Sequence, residues 1–206
     1  MLLLQMMVGV MGARLLFIIE YREFLKPGFS FWNFEGGGLS FYGAVISSFL
    51  FDWLYLKYRG LPFWSVMDCV GLGLPLGAVF ARLGCFLNGC CHGVACDWPW
   101  AMTFPGSGGQ RVHPSQLYEA LACLLIFLGL HVWKKRQRWW GQAFLAYIAG
   151  YGVYRFLAEF LRGDEPSQFL GLSMAHLASL GLLALAALTW KKLGADMTNR
   201  LPPGQG

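Results

Sequence analysis

Long apolar runs alternate with short polar connections along the whole chain, and this pattern predicts membrane-spanning helices. Six runs stand out, at residues 2–20, 38–56, 65–87, 115–133, 141–161 and 170–190. Each approaches the roughly 20 residues that a helix needs to cross the hydrocarbon core of a bilayer. We therefore expect an all-α, polytopic integral membrane helix bundle of about six spans, forming a single domain over residues 1–206.

Composition agrees with a membrane protein. The 206 residues are 56% hydrophobic and only 13% charged, against roughly 25% charged residues in an average soluble domain. The first run, beginning MLLLQMMVGVMGA, has no basic region before it, so we expect a retained first helix and not a cleaved signal. A small transporter or channel is disfavoured because no internal repeat of the spans is visible.

The basic residues indicate the orientation of the chain in the membrane. Nine lysines and arginines lie in the second loop, the fourth loop and the C-terminal tail, whereas four lie in the first, third and fifth loops. The positive-inside rule then places both termini in the cytoplasm and the odd-numbered loops outside. Short basic clusters between apolar runs do not form the continuous stripe typical of nucleic-acid binding, so we expect no nucleic-acid partner.

Arg82 is the first candidate functional residue, because it lies in an apolar run. It precedes the polar stretch GCFLNGCCHG at residues 84–93. An arginine at membrane depth costs roughly 2.5 to 3.5 kcal/mol on insertion scales, so a partner or a ligand must compensate it. The polar stretch opens into the outward third loop, which places this site on the outer side.

Arg155 is a second embedded cation. On a helix it shares one face with Tyr151, Glu159 and Arg162, which are spaced by three or four residues. One interpretation is a structural ion pair between Glu159 and either Arg155 or Arg162. The other, favoured by two guanidiniums near one leaflet, is a site for the phosphate of a phospholipid headgroup, which arginine binds bidentately.

Further candidates lie at the starts of two spans. The run HPSQLYE at residues 113–119 opens the fourth span, and we favour an N-terminal capping role for it over a general acid or base role for His113. Tyr42 has the position of an aromatic belt residue. Arg14 has three candidate partners, Glu20, Glu159 or a ligand.

The six cysteines leave several alternatives open. Cys90, Cys91, His92 and Cys96 could hold zinc, but adjacent cysteines are poor tetrahedral partners. A disulfide to Cys96 is possible if the third loop faces an oxidising compartment. We expect no metal and no cofactor.

Five stretches together resemble the bacterial prolipoprotein diacylglyceryl transferase family. They are GARL at residues 12–15, GGGLSFYGA at 36–44, ARLGCFLNGCCHG at 81–93, HPSQLYE at 113–119 and YGVYRFLAEFLR at 151–162. The resemblance implies an enzyme of the bacterial inner membrane that transfers diacylglyceryl from phosphatidylglycerol to a cysteine thiol, forming a thioether and releasing glycerol phosphate. The acceptor is the lipobox cysteine in the signal peptide of a preprolipoprotein.

By this resemblance the two essential arginines map onto Arg82 and Arg155. Supporting motif positions are Asn88, Gly93, Tyr151 and Glu159. Many members have a histidine where this chain has Tyr42, so we keep both Tyr42 and His113 as catalytic candidates. We assign these four supporting positions to substrate binding, together with Arg14, Ser115 and Glu119.

One departure from the family concerns the number of spans. Members usually have seven spans with an outside N-terminus, whereas this sequence starts where their second span would be. Either the start codon lies further upstream, or the chain is a short paralogue. Such a paralogue would bind anionic phospholipid or a lipidated peptide without carrying out the same transfer.

Overall fold

The computed structural model describes residues 2–22, 31, 38–161 and 173–196, and most of these residues are helical. Within this part the α-helices are α1 (Leu2–Glu20), α2 (Phe41–Tyr58), α3 (Phe63–Asn88), α4 (Ser115–Trp133), α5 (Gln142–Glu159) and α6 (Met174–Ala195). Each lies on one of the six apolar runs, and α1 and α4 have the bounds that the sequence predicts. Short 3-10 helices occur at Pro105–Ser107 and Lys134–Arg136.

Four helical stretches are long and apolar enough to cross a membrane by length and composition. They are Leu3–Glu20, Phe63–Asn88, Ser115–Arg136 and Ala175–Ala195. The helices α2 and α5 are shorter, with 18 residues each, and carry several tyrosines together with charged residues. The all-α, polytopic fold class is confirmed, and the spans assigned to α2 and α5 stay predictions.

The chain divides into two compact units, Met1–Phe63 and Trp64–Gly206. In the first unit α1 packs against α2 through small residues. A Cβ atom on Gly12 would collide with the Ser47 hydroxyl, and one on Gly43 would collide with the Gly12 carbonyl. Ser47 Oγ also donates a hydrogen bond of 3.2 Å to the Val8 carbonyl. Small residues of this kind let two membrane helices approach closely, which explains the glycine of the GARL stretch.

In the second unit α5 packs against both α4 and α6. A carboxylate on α3 fixes the start of α5, because buried Asp68 accepts hydrogen bonds from three backbone N–H groups. The distances are 2.7 Å to Gly141 N, 2.9 Å to Ala143 N and 3.1 Å to Phe144 N. Asp68 also accepts a hydrogen bond from the Gln137 amide. It therefore satisfies N–H groups that lack partners within the helix.

The third loop contains a small antiparallel hairpin. Its strands are β1 (Met102–Thr103) and β2 (Arg111–Val112), with Met102 opposite Val112 and Thr103 opposite Arg111. The Arg111 guanidinium donates hydrogen bonds to the carbonyls of Trp98, Pro99 and Ala101. This hairpin was not predicted from the sequence, because two-residue strands carry no detectable periodicity.

Candidate functional site

Arg82 pairs with a carboxylate on another helix, and a tyrosine on a third helix contacts that carboxylate. Its Nη2 atom lies 3.0 Å from Glu119 Oε1, and the Tyr151 hydroxyl donates a 2.9 Å hydrogen bond to the same oxygen. The three side chains come from α3, α4 and α5. Because Glu119 is buried, this carboxylate compensates the embedded cation and fixes its position.

Arg155 also pairs with a buried carboxylate. Its Nη1 atom lies 2.7 Å from Glu159 Oε2 on the same helix, so the ion pair considered from the sequence is present with Arg155. Arg162 lies outside the described residues. Ser173 Oγ donates a 2.9 Å hydrogen bond to Glu159 Oε1, and the Ser173 N–H donates to His176 Nδ1 at 3.1 Å. The start of α6 is thereby joined to the carboxylate that pairs with Arg155.

Both arginines remain partly exposed while their carboxylates are buried. The exposed fractions of the side chains are 24% for Arg82 and 26% for Arg155, against 7% for Glu119 and 6% for Glu159. Both cations lie within electrostatic range of Tyr154. A guanidinium has five N–H donors, so a single carboxylate partner leaves donors on each arginine for a ligand.

A cleft of about 200 Å³ adjoins this cluster. Polar groups from α4 and the Tyr154 ring line one part, and apolar side chains of α5 and the residues after it line the rest; the lining residues are Ser115, Tyr118, Glu119, Tyr154, Leu157, Ala158 and Leu161. A mostly apolar cleft with a few polar groups is the usual form of a small-molecule site.

His113 lies buried just before α4, with its side chain directed to Tyr118. Its Nδ1 atom is 3.1 Å from the Tyr118 hydroxyl, which accepts a 2.7 Å hydrogen bond from Trp100 Nε1. The run HPSQLYE lies at the start of α4, as expected, with Pro114 as the N-cap residue and no side-chain capping bond. Only the His113 carbonyl serves the helix, accepting the Ser115 N–H at 2.8 Å.

Gly93 is a point of close backbone approach. Its N–H donates to the His113 carbonyl at 2.8 Å, and the next N–H, of Val94, donates to the Leu161 carbonyl at 3.1 Å. A Cβ atom on Gly93 would lie 2.7 Å from Leu161 O and 3.0 Å from His113 Cβ. The glycine thus lets the loop pass between the start of α4 and the end of α5.

The segment after Asn88 is anchored to α4. Ser115 Oγ donates to the Cys91 carbonyl at 2.9 Å, and Gln116 Nε2 donates to the Cys90 carbonyl at 2.6 Å. Asn88 is the last residue of α3, and its side chain hydrogen-bonds to the Cys90 sulfur. Ser115 and Asn88, predicted to bind substrate, therefore contact this segment.

The cysteines are arranged differently from the zinc set considered above. Among the described residues, the one group of potential metal ligands consists of Cys85, Cys90 and Cys91, whose sulfurs all lie within 4.8 Å of one another. The His92 ring instead stacks on Phe104. All six cysteines lie in the described part of the chain and are free thiols, so no disulfide joins Cys96.

The sulfurs of Cys90 and Cys91 are joined by a hydrogen bond. Cys91 Sγ donates to Cys90 Sγ at 3.4 Å. The hydrogen bond from Asn88 and that from Cys91 lower the pKa of Cys90. Burial of its sulfur and the adjacent Cys90 raise the pKa of Cys91 to about 11.

Arg14 and Tyr42 belong to the first unit, whereas the other predicted site residues belong to the second. Arg14 is buried, and it donates hydrogen bonds to the Gly38 carbonyl at 2.9 Å and to the Phe31 carbonyl at 3.1 Å. Tyr42 is the second residue of α2 and is exposed. Arg14 thus contacts the GGGLSFYGA stretch at its third glycine.

Comparison with known proteins agrees with the five motifs. The family model described as prolipoprotein diacylglyceryl transferase matches residues 1–191 of the chain. The chain belongs to this family. Two relatives, each named phosphatidylglycerol–prolipoprotein diacylglyceryl transferase, illustrate the similarity. The protein of Wolinella succinogenes is 36% identical over 201 residues, covering 89% of this chain and 72% of that protein. The protein of Bordetella bronchiseptica is 38% identical over 200 residues, covering 95% and 75%.

Several residues that contact the arginine–carboxylate pairs or the segment after Asn88 were not predicted from the sequence. Ser173, His176 and Gln116 carry no charge that would make them conspicuous within or beside apolar runs. For Ser173 and His176 a signal did exist, because a serine three residues before a polar side chain at a helix start is a capping pattern, and the structure has this capping box. Tyr154 was overlooked because a tyrosine in an apolar helix is unremarkable.

Proposed function

We propose that the chain transfers the diacylglyceryl group of phosphatidylglycerol to the lipobox cysteine thiol of preprolipoproteins. Its relatives carry the name of this activity. The observation that carries the proposal is the pair of partly exposed arginines, Arg82 and Arg155, each fixed by a buried carboxylate beside the cleft. The five sequence motifs and the two arginine–carboxylate pairs of the second unit both support this activity.

The reaction substitutes sulfur for phosphate oxygen at a glycerol carbon. The substrate thiolate attacks the carbon that bears the phosphate, a carbon–sulfur bond forms, and the carbon–oxygen bond breaks. The electron pair of that bond passes to the phosphate oxygen, and glycerol phosphate leaves. Negative charge therefore grows on the leaving group, and fixed guanidiniums stabilise it more in the transition state than in the ground state.

Each arginine keeps a defined orientation in this scheme. Glu119 and Glu159 hold one edge of their guanidiniums, and the remaining N–H donors bind the phosphate. A planar guanidinium binds two phosphate oxygens at once, which an ammonium group does not. The carboxylates therefore serve as positioning residues for the two cations.

Thiolate is the reactive form of the substrate cysteine, so its proton must leave. We assign this proton to His113, whose imidazole lies in the second unit next to the cleft residue Tyr118. In the tautomer whose Nδ1–H donates to the Tyr118 oxygen, Nε2 has a free lone pair and is the atom that accepts the proton. Tyr42 stays a second candidate, from the first unit.

We also propose that the protein lies in the bacterial inner membrane with both termini in the cytoplasm and the site facing outward. The distribution of basic residues supports this orientation. Cys90 reports it, since hydrogen bonds lower the pKa of its thiol and a membrane-impermeant maleimide added to spheroplasts then labels Cys90 without permeabilisation. Labelling that requires permeabilised membranes would mean that this segment faces the cytoplasm and would contradict the proposed orientation.

The activity is tested with purified protein, phosphatidylglycerol and a peptide containing a lipobox cysteine. We expect a peptide whose mass increases by one diacylglyceryl group, and no product with a peptide whose cysteine is replaced by serine. A neutral phospholipid replaces phosphatidylglycerol as the lipid control. Binding of phosphatidylglycerol without any thioether product would instead support a non-catalytic paralogue.

A further inference from the structure

Three cysteine sulfurs meet at the end of α3. Cys85 lies on the last turn of the helix, and the chain then reverses through Gly89 and Cys91, which have φ angles of 73° and 64°. This reversal brings Cys90 and Cys91 back to Cys85, and the three sulfurs all lie within 4.8 Å of one another. Residues five and six positions apart on a continuing helix would not converge in this way.

The position of the cluster is fixed by contacts from α4. Gln116 Nε2 holds the Cys90 carbonyl at 2.6 Å, and Ser115 Oγ holds the Cys91 carbonyl at 2.9 Å. The Asn88 side chain hydrogen-bonds to the Cys90 sulfur itself. Outer contacts of this kind orient the ligands of metal sites before the ion arrives.

We propose that Cys85, Cys90 and Cys91 form a binding site for one soft d10 metal ion. Thiolates select soft ions such as Zn²⁺, Cd²⁺ or Cu⁺ over Mg²⁺ and Ca²⁺. Zn–S bonds of about 2.3 Å place two sulfurs around a shared ion about 3.8 Å apart. The separations are 3.4 Å between Cys90 and Cys91 and at most 4.8 Å across the group, so small side-chain rotations suffice. Although Cys90 and Cys91 are adjacent in sequence, the left-handed φ of 64° at Cys91 turns the chain so that both sulfurs lie near Cys85.

The environment of the cluster suits an ion that is bound by thiolates. Each thiol that becomes a ligand releases its proton, and no oxidation or reduction takes place. The Arg82 guanidinium acts electrostatically on Cys85, which favours the anionic ligand set. Cys91 is exposed, so an ion reaches the cluster from outside the protein. The set leaves a coordination position open for water or a further ligand.

Cd²⁺ is the probe for this site, because cadmium–thiolate bonds give an ultraviolet charge-transfer absorption. Titration of the reduced, full-length protein in detergent is expected to saturate at one ion per chain. Alkylation followed by peptide mass spectrometry is expected to show protection of Cys85, Cys90 and Cys91 by the ion. Cys69 and Cys96 serve as internal controls whose alkylation is unchanged.

Serine variants give the complementary measurement. Each of Cys85→Ser, Cys90→Ser and Cys91→Ser is expected to weaken Cd²⁺ binding by about tenfold or more, and the triple variant is expected to lose it. Cys96→Ser is the matched control and keeps wild-type affinity. The proposal is overturned if Cd²⁺ gives no thiolate band with the wild-type protein, if the protected cysteines are Cys69 or Cys96, or if the triple variant binds as tightly as the wild type. The transfer reaction is not used as a readout, so failure of the proposed function leaves this test intact.

Discussion

Ser173 Oγ donates a 2.9 Å hydrogen bond to Glu159 Oε1, and the opposite oxygen of that carboxylate lies 2.7 Å from Arg155. The first residue before α6 therefore positions the cation of α5. His176 completes the arrangement by accepting the Ser173 N–H at Nδ1. These two residues are positioning residues for Arg155 in the proposed reaction.

Ser173→Ala is expected to lower kcat of diacylglyceryl transfer several-fold, because Glu159 loses the hydrogen bond that orients its carboxylate. KM for phosphatidylglycerol should change less, since the charge of Arg155 is kept. The measurement is a kcat and KM comparison with Ser179→Ala, which removes another buried serine hydroxyl of the same unit. Equal effects of the two substitutions would assign Ser173 a purely structural role.

His176→Asn provides a rescue test for the same contact. The asparagine side-chain oxygen can accept the Ser173 N–H in place of Nδ1, whereas the side chain of His176→Leu cannot. We expect the asparagine variant to retain most of its transfer rate and the leucine variant to lose more of it. Equal rates in the two variants would mean that the hydrogen bond at Nδ1 does not matter for Arg155.

Glu119→Gln is expected to lower the stability of the protein by about 1 to 3 kcal/mol, because it leaves the partly exposed Arg82 guanidinium without its carboxylate. An anionic lipid can supply the missing charge. Added phosphatidylglycerol should therefore raise the thermal midpoint of the variant more than that of the wild type, and a neutral phospholipid should not. Identical shifts of the thermal midpoint in both proteins would mean that the lipid does not bind at Arg82.

Asp68→Ala removes the acceptor of three backbone N–H groups at the start of α5. Unsatisfied buried donors cost roughly 1 to 3 kcal/mol each, and we expect a loss of about 3 kcal/mol in stability after relaxation. Thermal unfolding in detergent measures this loss. Asp97→Ala, at an exposed loop position, is the control, and a similar effect of both substitutions would contradict the capping role of Asp68.

The order in which Cys90 and Cys91 are alkylated should depend on how readily each forms a thiolate, and not on how exposed each side chain is. Cys90 is less exposed than Cys91, but its pKa is lowered by hydrogen bonds, whereas that of Cys91 is raised to about 11. Because thiolate is the nucleophile, iodoacetamide should label Cys90 first near neutral pH, and labelling of Cys91 should increase as the pH approaches 11. Peptide mass spectrometry without added metal gives the order, and faster labelling of Cys91 near neutral pH would contradict it.

The helices could be predicted from the sequence, because membrane spans need long apolar runs with few charges. The apolar runs at residues 2–20 and 115–133 coincide with α1 and α4. The ends of α6 were shifted, since the sequence places its start at residue 170 and the structure places it at Met174. The first apolar residues of a run can precede the capping residue, here Ser173, at which the helix starts.

Contacts between side chains on different helices could not be predicted from the sequence in the same way. Periodicity places Arg155 and Glu159 on one face and so suggests their ion pair, but nothing in the spacing joins Arg82 on α3 to Glu119 on α4. The cysteine cluster was also missed, because Cys85 meets Cys90 only through the chain reversal after Asn88. Contacts of this kind depend on how elements pack, which local patterns do not contain.

In the proposed reaction Arg82 and Arg155 bind the phosphate of the lipid through their planar guanidiniums. The most direct measurement is the transfer rate of Arg82→Lys and of Arg155→Lys, with Arg138→Lys at an exposed loop position as the matched control. We expect both site variants to fold with a thermal midpoint close to that of the wild type and to lose at least about tenfold in kcat/KM, while the control is unaffected. The reason is that lysine keeps the charge of arginine but lacks the planar guanidinium that binds two phosphate oxygens. Wild-type rates in both site variants would contradict it.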